Sequence, residues 1–161
     1  VMTAVAIGTP GCFCPSILAP CGNADPNAGC ANSTGLGATL KAHGSASVAN
    51  DDLTFSAEQL PLGTFAMLLG SLAQRNVPFG DGRLCVGGGG VRIWRFQLRN
   101  SRQWGATVYG AGLVARSHMF FAIGHINSGD TWYFQTFYRD TFGPCGGGRN
   151  LSNNVEITFT P

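Results

Sequence analysis

The sequence predicts an all-β protein: a β-sandwich or jelly-roll-like domain behind an extended, disulfide-tied N-terminal arm. Three observations predict it. Short runs of β character recur between turn signals. The 24 glycines punctuate the chain, and the unbroken runs Gly87–Gly90 and Gly146–Gly148 deny a helix. Six cysteines stand at 12, 14, 21, 30, 85 and 145, four of them crowded near the start. Residues 1–37 read as the arm, rich in Pro, Gly, Ala and Cys with Asp25 as the lone charge, and 38–161 as the sandwich.

The strands follow in order. Ser45–Val48 and Leu53–Ala57 flank the turn Asn50-Asp51-Asp52. Thr64–Ser71 is a continuous apolar run; Pro61, Gly70 and Pro78 limit its length, so it reads as a buried strand and not a helix. In Val91–Leu98, alternation places Arg92, Trp94, Phe96 and Leu98 on one side and Val91, Ile93, Arg95 and Gln97 on the other. His118–Ile123 and Thr131–Tyr138 flank Asn127-Ser128-Gly129-Asp130. Aromatics fall on both faces of Trp132–Tyr138, so at least half belong to the core. Val155, Ile157 and Phe159 alternate with polar residues as a half-buried strand. No convincing helix is visible.

Charged residues make up only 11% of the chain, against roughly 25% in an average soluble protein. The hydrophobic fraction of 44% excludes disorder. A net charge of +2 gives no general attraction to nucleic acid, which is not expected as a partner. Lys41 is the lone lysine, and Arg92, Arg95, Arg99 and Arg102 cluster around Trp94 and Trp104. Two readings stand. One is a cell-surface glycan site contacted by Trp94, Trp104, Arg92 and Arg95. The other is a solvated strand face whose arginines pair with Asp or carbonyl groups.

Zinc needs tightly spaced ligand pairs, whereas Cys12 and Cys14 form C-x-C and His43, His118 and His125 lie far from the cysteines. Disulfides are therefore expected, and with them a location outside the reducing cytosol. No apolar stretch reaches the roughly 18 residues of a membrane span. The chain begins at Val1 and not Met, as expected where a leader has been removed.

Signatures of common catalysts are missing: no G-x-S-x-G elbow, P-loop or H-E-x-x-H. The carboxylates are Glu58, Glu156, Asp25, Asp51, Asp52, Asp81, Asp130 and Asp140, and most of the Asp residues sit in turn-like surroundings. Asp81 and Asp130 read as turn residues before they read as calcium ligands. No catalytic activity, cofactor or metal is expected. Asn32-Ser33-Thr34 and Asn150-Leu151-Ser152 match the N-glycosylation pattern.

Several blocks are similar to one family: Cys21-Gly22-Asn23, Gly29–Ser33, Val48–Leu53, Leu60–Gly63, Pro78–Gly82 with Cys85, Gly129–Thr131 with Tyr133–Gln135, Tyr138–Asp140, Gly143–Gly146 and Asn150–Asn153. In this order they resemble an uncharacterised domain of secreted proteins from environmental, planctomycete-type bacteria, from about Cys12 to Pro161. The chain departs from it at Ala19-Pro20-Cys21, where the family tends to carry a second cysteine before the proline. The resemblance implies secretion, disulfides and a surface, adhesive or assembly role, and supplies no activity. Cys85 and Cys145 each adjoin a glycine-rich turn and are the preferred long-range pair. Cys21–Cys30 and Cys12–Cys14 then remain, as the pairings the sequence constrains least.

The expected function is an extracellular structural protein, a subunit of a surface filament built head to tail from copies of itself. The alternative is a glycan-binding or adhesive module. In the arm, Val1, Thr3, Val5 and Ile7 share one face, and such an apolar, uncharged segment favours strand addition to a neighbour's sheet. The competing arrangement pairs the arm within its own domain, beside Val155 to Thr160. Deleting Val1 to Gly8 separates them: strand addition expects a folded protein that stays monomeric by light scattering, and normal polymerisation or simple unfolding would remove the arm as the joint.

Overall fold

Period-two burial organises the strands of the computed structural model, which describes residues 7–161. The elements are β1 (Thr9–Gly11), β2 (Thr39–His43), β3 (Thr54–Glu58), β4 (Phe65–Ser71), β5 (Gln74–Phe79), β6 (Gly82–Val86), β7 (Trp94–Asn100), β8 (Thr107–Gly110), a short helix α1 (Leu113–Ser117), β9 (Thr131–Arg139) and β10 (Arg149–Thr158). A five-stranded antiparallel sheet runs β1-β10-β9-β4-β7, and a three-stranded sheet runs β2-β3-β8. The all-β, sandwich-like expectation therefore holds. The main core joins the two sheets: Leu40, Phe55, Ala57 and Tyr109 from one meet Leu68, Phe96, Trp132, Phe134, Tyr138, Val155 and Ile157 from the other. A hairpin, β5–β6, covers part of the larger sheet's outer face and buries Leu69, Leu84, Val86 and Leu151 there.

Several expectations need correction. His118–Ile123 is not a strand: it leaves the end of α1 and passes into a 3-10 turn at Ala122–Gly124. Asp51, 63 residues earlier in the chain, holds α1 by accepting the backbone N–H groups of Val114 and Ala115. No local motif announces a cap from so far away. Ser45–Val48 makes only an isolated bridge, Ser47 to Thr160. The alternation in β7 fails at Phe96, where a bulge sets Leu68 opposite Gln97 and Leu69 opposite Arg95. One extra residue reverses every later side chain. Leu98 therefore lies beside Met67 on the outer face, not beside Trp94 and Phe96 in the core.

All six cysteines are bonded, as expected, but with different partners: Cys12–Cys85, Cys14–Cys30 and Cys21–Cys145. Cys85–Cys145, Cys21–Cys30 and Cys12–Cys14 are not formed. The reason is tertiary. The arm crosses the end of the sandwich and is stapled to it at two points, β6 through Cys85 and the turn after Asp140 through Cys145. Cys14–Cys30 closes a loop inside the arm itself, worth about 3 kcal/mol in the chain-entropy model.

Turns and isolated bridges such as Cys14–Asp25 and Ala31–Gly37 pair part of the arm's backbone, and side-chain amides pair further groups of the arm and of the segments it rests on. Asn150 donates to the carbonyls of Cys30 and Ala31. Asn23 donates to Ala31 O and Asp81 O. Asn32 donates to Gln59 O and to the Tyr138 hydroxyl. Gln135 accepts from Cys85 N–H and donates to Arg83 O and Ser152 O. At the β10 bulge, Ser152 and Asn153 are skipped between the pairs Leu151–Phe137 and Asn154–Gln135. The freed Asn153 amide accepts from Leu40 N–H and donates to Leu40 O, as a strand backbone would. Gly29 and Gly37 permit this close docking, because a Cβ on either would overlap backbone of Leu151 or Gly29. Both glycosylation-pattern asparagines, Asn32 and Asn150, are buried with their amides engaged, so neither is a modification site in the folded protein.

The N-terminal segment also finds partners within the chain. Thr9, Pro10 and Gly11 pair with Glu156, Val155 and Asn154, and Ile7 bridges to Ala42. This is the in-domain arrangement for the described part of the arm. Of the expected assembly strand, Val1, Thr3 and Val5 lie outside the described residues.

Two consequences are measurable. Replacing Asn153 by Ala leaves the Leu40 N–H and C=O buried without partners, and each such group costs about 1–3 kcal/mol. Asn153→Ala is expected to lower unfolding stability by about 2–5 kcal/mol in a denaturant titration. Burial also raises the phenols of Tyr109 and Tyr138 above their ordinary range. Below pH ~10 both are neutral in either state, and their contribution to stability is whole. As pH rises past ~10 the unfolded chain ionises while the buried phenols do not, so stability falls. Tm is expected to drop on that side, with phenolate absorbance from these two tyrosines appearing only as the fold is lost.

Candidate functional site

On the larger sheet the outer face is only half covered by the β5–β6 hairpin. The uncovered part is a groove of about 750 Å³. Alternation supplies its floor: Phe65, Met67 and Leu69 are the outward residues of β4, and Phe137 that of β9. The bulge in β7 adds Leu98. Phe65 and Leu98 remain 59% and 53% exposed, although both are large and apolar. The hairpin contributes Phe79, and Leu84 joins the groove to the small core beneath the hairpin.

Arg75, Arg95 and Arg139 are the polar residues of the lining, and no acidic residue is among them. Arg75 is steered by its Nε, which donates to Val86 O across the hairpin. Arg95 and Arg139 are exposed. Beyond Arg95 the groove continues along β7, where Gln97, Leu98, Arg99 and Arg116 line a shallower recess of about 380 Å³. This site is therefore an open apolar trough edged by guanidinium groups.

The structure divides the expected glycan contacts. Trp94 is buried, stacked on Phe120 with centroids 4.8 Å apart, so it offers no face to a ligand. Its position inside the core follows from the inward phase of β7 before the bulge. Trp104 is exposed but sits on the short 3-10 turn Arg102–Trp104, away from the groove lining. Arg92 lies over the Trp94 ring at 5.2 Å, and Arg95 alone of the four lines the groove. Phe65, Met67, Leu98 and Phe137 went unrecognised. The outward phase of Thr131–Tyr138 and the apolar run Thr64–Ser71 carried part of that signal, but not which half would stay uncovered.

The remaining candidates resolve simply. Asp81 sits in the β5–β6 turn, and its buried carboxylate accepts the backbone N–H groups of Cys145 and Gly147. Asp130 accepts from Asn127 N–H within its own turn. Glu58 ends β3 in the smaller sheet, while Glu156 lies in β10 of the larger one. Among the described residues, no group of three or more His, Cys, Asp or Glu side chains is placed to hold a metal ion, and no helix is long and apolar enough to cross a membrane.

No protein-family model matches the chain, no curated protein is similar to it, and no solved structure is similar to it.

Proposed function

We propose that the chain is an extracellular binding module that holds an apolar, acidic segment of a partner polypeptide in the outer groove. The observation that carries this reading is the combination of exposed Phe65 and Leu98 and half-buried Met67 and Phe137 with three arginines and no carboxylate. The apolar floor supplies burial, and the arginines supply charge-assisted bonds that orient an acidic group. A glycan fits the groove less well. Sugar hydroxyls need several donors and acceptors, and the lining offers guanidinium groups alone as polar side chains. Disulfides fit a role outside the cell, and the resemblance to a domain of secreted surface proteins points to an adhesive or assembly setting. Filament formation by strand addition is the second reading. It now rests on residues 1–6, since Ile7 and Thr9–Gly11 are engaged within the chain.

Selection of displayed peptides against the disulfide-bonded protein tests the proposal. Enriched sequences are expected to place Asp or Glu beside large apolar residues. Their affinity should fall about tenfold or more, at least about 1.4 kcal/mol, on Arg95→Glu and on Leu98→Asp. Added salt should weaken the native complex and leave the Arg95→Glu variant less affected. Binding that is indifferent to both substitutions would remove the groove from the function.

A further inference from the structure

A second surface lies apart from the groove, on the loop between α1 and β9. Met119, Phe121 and Ile123 are 76%, 74% and 70% exposed. None of them lines the groove or its extension along β7. Large apolar side chains this exposed, three within five residues, exceed the scattered exposure normal for a protein surface.

The loop carrying them is firmly based. Phe120, between two of the exposed residues, stacks on Trp94 and meets Phe96 edge-on. Gly124 packs so closely on the Trp94 indole that a Cβ there would overlap the ring. The Ser117 hydroxyl donates to Val114 O and accepts from Ile126 N–H, tying the two ends of the loop together. His125 donates from Nε2 to Phe120 O, and its ring stacks on His118 with centroids 4.4 Å apart. The three apolar tips are held out by a packed base, because Phe120 and Gly124 are spent on the core.

The charged groups in contact with the tips are both cationic. Between Gly82 and Gly129 the sequence has no Asp or Glu, while six of the nine arginines fall there. Two of those six adjoin the tips. The Arg92 guanidinium lies 5.9 Å from the Phe121 ring centroid, and Arg116 reaches Met119 Sδ at 3.9 Å. Asp130, the first acid beyond the loop, is occupied with Asn127 N–H.

We propose that this loop docks the protein on an anionic bilayer surface. Met119, Phe121 and Ile123 enter the boundary between headgroups and acyl chains, and Arg92 meets lipid phosphates. The chemistry suits that boundary, where apolar tips beside cationic groups bind peripherally without spanning. Protruding side chains need a matching cavity in a protein partner, whereas a bilayer accommodates them without one. Such docking would set the module against a cell surface and leave the outer groove free for its partner.

Co-sedimentation with vesicles tests it, using the disulfide-bonded protein, phosphatidylcholine vesicles and phosphatidylcholine–phosphatidylglycerol vesicles. Wild type is expected to bind the anionic vesicles and to lose that binding as salt rises. The variant Met119→Ser, Phe121→Ser, Ile123→Ser should bind at least about tenfold more weakly, and Arg92→Gln several-fold more weakly, both with unchanged thermal unfolding. A separate Phe121→Trp variant should show a blue-shifted emission component on anionic vesicles, quenched by brominated lipid. The proposal is overturned if wild type binds neither vesicle, if the triple variant binds as well as wild type, or if the emission of the Phe121→Trp variant stays unchanged. It is equally overturned if the triple substitution abolishes self-association of a protein that ignores vesicles, which would make the loop a contact between copies.

Discussion

Asn153 presents its side-chain amide to both backbone groups of Leu40, and Asn150, Asn32, Asn23 and Gln135 do the same for other carbonyls and N–H groups around it. Backbone that leaves a regular ladder and is then buried must find partners elsewhere, since each unpaired group costs about 1–3 kcal/mol. Here such backbone includes parts of the arm from Cys12 to Gly37, beside β10, and the outer edge of β2 at Leu40. The buried amides carry a donor and an acceptor at fixed separation, which makes them short substitutes for a strand. The bulge at Ser152–Asn153 frees one of them to turn toward β2, and so links the two sheets through a side chain.

Such a network stabilises only when complete, and the disulfides help complete it. Cys12–Cys85 and Cys21–Cys145 hold the arm at two points on the sandwich, while Cys14–Cys30 shapes the arm itself. Gly29 and Gly37 let the docked segments approach to backbone contact. The polar end of the molecule is thus joined to β10 by amides and to the sandwich by two disulfides.

Away from that end, the outer surfaces are built differently from the core. The β5–β6 hairpin shields only half of the large sheet, and the β7 bulge turns Leu98 outward into the uncovered half. At the α1–β9 loop, the residues facing inward pack on Trp94 and Phe96, and their neighbours have no side left except solvent. The groove floor is a by-product of alternation, since a strand that commits every second residue to a core displays the others; the loop tips project because Phe120 and Gly124 anchor the turn between them. The arginines at the edges of both surfaces give them a positive sign.

Periodicity and composition alone determined the all-β class, the strands within Thr64–Ser71 and Thr131–Tyr138, the turns at the glycine runs and the oxidation of all six cysteines. These are local properties: side-chain alternation, positive-φ turns and cysteine number are written within a few residues of where they act. The disulfide partners, the burial of Trp94, the outward turn of Leu98 and the Asp51 cap on α1 were decided only by the tertiary structure. A single bulge reverses the facing of every residue after it, and a cysteine's partner is whichever sulfur the crossing of the arm brings near. The same holds for Asn32 and Asn150, which read as surface glycosylation signals in sequence. Their amides became structural because folding brings them against buried carbonyls from distant parts of the chain.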